Sequence, residues 1–329
     1  MRIFLAGATG ALGRRLVPSL LADGHEVVGM TRSPQRAAGL REQGAEAAVA
    51  DALDRSAVME AVRRAEPEVV VHQLTALAGQ VTARRIDRAF AATNRLRTEG
   101  TDHLVAAARA AGARRLVAQS FAGWPYAREG GPVKTEQDRL DPAPPRRLRA
   151  THAAIRHLEA AVLGAEGLEG VVLRCGGFYG PGTSIGEGGE HVELMRRRRF
   201  PIVGSGAGVW SLVHIDDAAA AALAAALRGA PGLYNIVDDD PASVAEIFPA
   251  LGAAIGAPPP RRVPALVARL VAGEHAVVMM TQVRGASNAK ARRELGWRPA
   301  HPSWRQGFRD ALGGSGQTIS TGVPSSTRS

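Results

Sequence analysis

This chain predicts an α/β fold, a doubly wound parallel sheet followed by a smaller C-terminal part, and three observations carry the prediction. Short apolar runs alternate with Ala/Leu-rich stretches of helical length. The first run, Ile3 to Ala6, ends in a glycine-rich turn that leads straight into a helical pattern at Leu12, Leu16, Leu20 and Leu21. After residue 176 the regular alternation loosens into Gly-rich loop and shorter elements.

Strands are expected at 2–6, 26–30, 46–50, 68–74, 115–120 and 170–175. Each is short and apolar on both faces, the pattern of strands covered by helices on either side rather than wetted on one. A late helix is expected from Asp216-Asp217 and a late strand near Leu233 to Val237. Residues 1–175, with 205–237 adding that helix and strand, form the expected dinucleotide-binding unit; 176–204 and 238–312 form a substrate-binding part. Pro258-Pro259-Pro260 marks a loop, and the Ser/Thr/Gly-rich tail 313–329 is expected to be disordered.

With 329 residues the chain has ample sequence for a core. One cysteine, Cys175, excludes an internal disulfide framework and fits a reducing cytoplasm, and it reads as packing at a strand end. No apolar run approaches the roughly 18 residues that span a bilayer. The formal net charge is +10, and of 41 basic residues only Lys134 and Lys290 are lysine. The arginines are scattered through predicted helices, and the one dense run, Arg196 to Arg199, has no interleaved aromatics, so neither nucleic acid nor membrane is an expected partner. A small-molecule substrate is expected, and a homodimer is left open.

In Gly7-Ala8-Thr9-Gly10-Ala11-Leu12-Gly13, a turn between strand and helix lets the backbone approach a pyrophosphate, while the helix behind it offers unpaired N–H groups and a positive dipole end. About 20 residues further on, an NAD site wants an acid to accept from the ribose 2′-hydroxyl. Thr31, Arg32 and Ser33 stand there instead, and a guanidinium with neighbouring hydroxyls suits a 2′-phosphate, so NADP is expected, with NAD the alternative. Asp51, at the end of the third strand, is placed to accept from an adenine amino group, whereas Asp54 suits a helix cap.

The chain resembles an extended short-chain dehydrogenase/reductase of the NAD(P)-dependent epimerase/dehydratase family over about residues 1–310. The resemblance is carried by the opening glycine motif, Val71-His72-Gln73-Leu74, Gln119-Ser120, Phe178-Tyr179-Gly180-Pro181-Gly182, Val213-His214-Ile215-Asp216-Asp217 and Glu294-Leu295-Gly296-Trp297-Arg298-Pro299. It implies a Rossmann-type sheet, a nicotinamide dinucleotide on Gly7, Gly10 and Gly13, adenine near Asp51 and Ala52, and further cofactor contacts at Gln73, Leu74 and Thr75. It also implies a substrate between sheet and C-terminal part, with Ser120 bonded to a substrate carbonyl.

The departures from the family pattern bear on mechanism. Members usually carry Tyr-x-x-x-Lys, the lysine lowering the tyrosine pKa so that the phenolate moves a proton while hydride moves. Alignment on Glu159 places Thr151 and Ile155 at those two positions, and Arg156 lies about 100° round the helix from Ile155. Tyr179, Tyr126 and His152 are the expected substitutes, with His72 and His191 also in the neighbourhood. Phe178, Tyr179, His191 and Trp210 are expected to line the substrate. Trp210 stands where sugar-nucleotide members usually hold a diphosphate-clamping arginine, so a ligand other than a sugar nucleotide is expected. No His/Cys/Asp set has metal spacing, so no metal is expected. Two functions follow: an NADP(H)-dependent oxidoreductase or epimerase with an atypical proton relay, or a dinucleotide-binding protein without redox turnover, a cofactor sensor or a non-redox lyase or cyclase.

Overall fold

The computed structural model describes residues 1–77 and 86–312; the expected tail lies outside these. Seven parallel strands form the central sheet: β1 (Arg2–Ala6), β2 (Glu26–Thr31), β3 (Glu46–Val49), β4 (Val69–His72), β5 (Arg115–Phe121), β6 (Glu169–Cys175) and β7 (Gly232–Ile236). Their spatial order is β7-β6-β5-β4-β1-β2-β3, reversing direction between β1 and β4. Ligands of such sheets bind outside the carboxyl ends at that reversal. All six strands expected from the early sequence are present, with ends shifted by two residues at most.

Side chains alternate across each strand, so one strand feeds two cores. Ile3, Leu5, Val69 and Val71 join helices α1 (Gly13–Ala22), α2 (Pro34–Glu42) and α8 (Ile215–Leu227) on one face. Phe4, Val70, Leu116 and Val172 join α3 (Arg55–Ala65), α5 (Thr101–Ala110) and α6 (Arg149–Leu163) on the other. The Ala-rich α8 can lie flush on the sheet because its inward positions are methyl groups; His214 caps it and Asp216 and Asp217 complement its positive end. Helix α4 (Ile86–Arg95) runs into one π-helical turn, Leu96–Gly100, before α5.

The C-terminal residues build a third core beside the carboxyl ends of the strands. It gathers Tyr179, Ile185, Val192 and Met195 of α7 (Glu190–Arg196), Ile247, Phe248 and Leu251 of α9 (Val244–Ala254), and Trp304 and Phe308 of α13 (Trp304–Leu312). Between α9 and α13 lie α10 (Ala265–Val271), α11 (Glu274–Thr281) and α12 (Ala289–Glu294).

Candidate functional site

At the carboxyl end of β1 the chain has no room for side chains. Gly7 has φ +94°, and a Cβ there would sit 2.9 Å from the backbone of Gln73 at the end of β4. A Cβ on Gly13 would collide with the Gly7 carbonyl and the Ala8 backbone. Gly10 N–H closes the turn on the Gly7 carbonyl at 3.0 Å. No side chain caps α1, and no acid lies in its first turn, so its N-terminal N–H groups face the crevice without an internal anion. Thr9, Ala11 and Leu12 lie in this turn. The residues fit a pyrophosphate.

Beside it, the Thr9 and Thr31 hydroxyls approach to 3.4 Å, and Thr31 Oγ1 also accepts the Ser33 N–H. Ser33 caps α2 by accepting the Arg36 N–H. Arg32 is exposed and makes no hydrogen bond or ion pair among the described residues. Asp51 is exposed and accepts the Leu53 N–H, while Asp54 caps α3 as expected. Ala52 is buried, its carbonyl taking a hydrogen bond from His103 at 2.9 Å. At the end of β4, Gln73 is 5% exposed and neither amide atom has a partner, Leu74 is half-buried and Thr75 is exposed.

The expected proton carriers are elsewhere. Ser120 is buried and its hydroxyl donates to Glu159 Oε1 at 2.7 Å, whose carboxylate also takes two hydrogen bonds from Arg174, at 2.8 and 2.6 Å. The serine assigned to a substrate carbonyl is thus held by Glu159 of α6. Tyr126 is wholly buried under the Arg174 guanidinium, donating to Asn235 at 2.6 Å. Burial holds that phenol protonated, its pKa raised. Tyr179 packs edge-on between His214 and Phe308 in the third core; its hydroxyl has no partner, and burial again raises its pKa. Both expected proton carriers, Tyr126 and Tyr179, are thus fully buried, the first bonded to Asn235 and the second without a partner.

The imidazoles are likewise committed. His152 Nε2 donates to the Pro125 carbonyl at 2.8 Å. His72 accepts the Leu74 N–H and donates to Thr101, and burial first, then the charge of Arg97, takes its pKa down to about 4. His191 lies against Phe200 and is likewise lowered to about 4 by burial. Phe178 is half-buried against the first core. Trp210 is held by the Met279 carbonyl at 2.8 Å and by the edge of Phe248, so its indole is a packing element more than an open lining. Arg156 points away from the sheet onto the Leu140 and Asp141 carbonyls.

Three groups that the sequence spacing kept apart do meet: His214, Asp217 and His301 bring ligand-type atoms within 4.8 Å of one another. Asp217 takes the N–H of Ala300 and of His301 and the His301 ring, His214 takes the Asp216 N–H, and the two rings stack at 3.8 Å. Parallel rings do not aim their lone pairs at one point, so the trio serves to tie α8 to the segment before α13.

Residues that sequence reasoning passed over complete the site. Phe121, the last residue of β5, and Trp124, just beyond it, have ring centroids 5.8 Å apart, and Trp124 meets His152 edge-on. Asn94 of α4 donates to the Thr151 hydroxyl at 3.1 Å, so the vacated tyrosine position is bridged to a neighbouring helix. The aromatic pair could have been found from its place at the end of the fifth strand and just after it. The Asn94–Thr151 bond, spanning 57 positions, left no local signal.

A model of the NAD dependent epimerase/dehydratase family matches residues 3–236. The chain is 47% identical to a 3-diazoavenalumate denitrifying reductase from a Streptomyces species, over 94% of this chain and 99% of that protein. It is 30% identical to a UDP-glucose 4-epimerase of Mycolicibacterium smegmatis, over 91% and 94% of the two chains. Among solved structures, the UDP-glucose 4-epimerase of Thermotoga maritima superposes with a TM-score of 0.73 at 23% identity, covering 95% and 97% of the two chains.

Proposed function

This chain belongs to the NAD-dependent epimerase/dehydratase family and is an NAD(P)-dependent oxidoreductase/epimerase; from that premise we propose that it is an NADPH-dependent reductase of a small aromatic compound whose acceptor group needs no proton from the protein. The observation that carries the proposal is the presence of Thr151 and Ile155 where the family has tyrosine and lysine, together with the full burial of Tyr126, Tyr179 and Tyr234. Reducing a ketone leaves an alkoxide that a tuned acid must protonate. A threonine hydroxyl is far too weak an acid for that role, and an epimerase, which must first deprotonate an alcohol, meets the same difficulty.

An acceptor that is already cationic avoids it. Bound reduced nicotinamide supplies a hydride. An arenediazonium, the ion related to the diazo group named for the 47% identical reductase, takes two electrons and one hydrogen at its terminal nitrogen. The resulting aryl diazene loses dinitrogen as that hydrogen passes to the ring carbon, so atoms and charge balance without an added proton. Phe121 and Trp124 would stack on the ring, which suits a planar aromatic better than a sugar diphosphate. The unpaired Arg32 beside Thr31, with no acid at the end of β2, supports NADP over NAD. Residues 176–204 and 238–312 would cover the substrate.

The test is to follow NADPH absorbance with arenediazonium salts and with aryl ketones, against enzyme-free controls. Dinitrogen release with arene formation, at a rate at least 100-fold above any ketone reduction and retained in Thr151→Ala, is expected. Ketone reduction at an equal rate, or epimerisation of UDP-glucose without net NADPH loss, would overturn the proposal.

A further inference from the structure

Three arginines are buried among the described residues: Arg97, Arg115 and Arg174. Arg115 is spent on Glu169 and on the carbonyls of Ala225, Arg228 and Gly229 at the end of α8. Arg174 is spent on Glu159. Arg97, 4% exposed, makes no hydrogen bond or ion pair with any described residue, and its Nη1 is fully enclosed without a partner. Glu159 attracts it but is already bound by Arg174 and Ser120, and His72 is neutral, so one buried positive charge is left over. Burial lowers the pKa of Arg97 to about 10, which leaves it cationic. An ion held out of water without a counter-ion costs several kcal/mol, a cost a fold retains where a ligand supplies the missing partner.

The position of Arg97 says which ligand. It lies in the π-helical turn after α4, a local rewinding often found at functional sites. Asn94, three residues earlier, binds Thr151 through Nδ2, and its Oδ1 is also enclosed and unpartnered. Both α4 and the π-turn pack on α6, whose inward stripe runs Thr151, Ile155, Glu159. Two unsatisfied polar groups are thus directed at the helix from which the family's tyrosine and lysine are missing.

We propose that Arg97 receives an anionic group of the substrate, the carboxylate of an aromatic acid, which supplies the counter-ion that the fold leaves out. The proposal rests on the aromatic-acceptor reading above. Arg97 reads the charge of the substrate, Asn94 and Thr151 hold its neighbouring polar atoms, and Phe121 and Trp124 hold its ring.

Calorimetric titration of the NADP⁺-loaded full chain with trans-cinnamate and with its neutral amide, cinnamamide, tests this apart from hydride transfer. Wild type should bind cinnamate at least ten-fold more tightly. Arg97→Met should erase that preference while leaving cinnamamide and NADP⁺ affinity unchanged and the melting temperature of the ligand-free chain level or raised; Arg97→Lys should keep part of the preference. Equal binding of acid and amide by wild type, or of neither, overturns the proposal, as does an unchanged preference in Arg97→Met. Parallel loss of NADP⁺ affinity would assign the charge to the cofactor, and failure of Arg97→Met to fold would assign it to structure, each against the proposal. NADPH turnover of arenediazonium salts that survives any of these results leaves the reductase reading standing, whereas its absence strikes that reading alone.

Discussion

The two ends of the crevice treat their polar groups in opposite ways. At the carboxyl ends of β1 and β2, the start of α1 has neither a side-chain cap nor an acid in its first turn, and the Arg32 guanidinium has no partner among the described residues. At the carboxyl ends of β5 and β6, Ser120 and Arg174 are hydrogen-bonded to Glu159, Tyr126 is hydrogen-bonded to Asn235, and the Arg174 guanidinium lies over the Tyr126 ring, so that the five side chains form one buried cluster. Groups left open can serve a ligand, and groups bonded to each other serve the fold. A residue type that is catalytic in a family says little until its partner is known.

The contrast is broken most directly at Glu159. Glu159→Ala should leave Arg174 with no counter-ion beside the already unpaired Arg97, lowering unfolding free energy by about 3–5 kcal/mol, read by urea denaturation. A loss near zero would mean that the network is not structural and that Ser120 is free for substrate after all. At the other end the effect should appear in binding alone. Arg32→Ala should weaken NADPH by about 1.5–3 kcal/mol, with little change for NADH and none in stability, because a charge-assisted bond to the 2′-phosphate is lost. Titration of both dinucleotides checks it, and equal losses would return the preference to NAD. The smallest effect belongs to Tyr179. Removing its buried, unpaired hydroxyl in Tyr179→Phe should raise stability by up to about 1 kcal/mol with turnover within two-fold of wild type; a marked fall in turnover would put the phenol back into the mechanism.

The legibility of the chain follows the same division. The strands and the cofactor turn could be read because their causes are local: apolar runs of strand length, and glycines where a Cβ would strike the Gln73 backbone or the Gly7 carbonyl. The helix start at 215 and the cap at Asp54 were legible for the same reason. The surroundings of Ser120 and Tyr179 were not, since they come from residues far along the chain: Glu159 is 39 positions from Ser120, and Phe308 of α13 closes over Tyr179. Trp210 was legible as a departure from an arginine, but its bond to the Met279 carbonyl was not. The meeting of His214, Asp217 and His301 was hidden in the same way, by more than 80 positions between Asp217 and His301.

The π-helical turn Leu96–Gly100 makes the number of residues in this segment, and not their identity alone, a determinant of its geometry. A π-turn closes i→i+5 bonds and so holds more residues than the 3.6 of an α-helical turn, and removing one residue from it would rewind the segment that joins Asn94 to Thr101, the α5 residue that His72 grips. A scan of single substitutions would find little at Thr98 and Glu99, whose side chains make only local contacts with Asn94 and Arg95. A scan of single deletions should find all of them intolerant, and an insertion that restored the count should rescue the protein whatever residue it added.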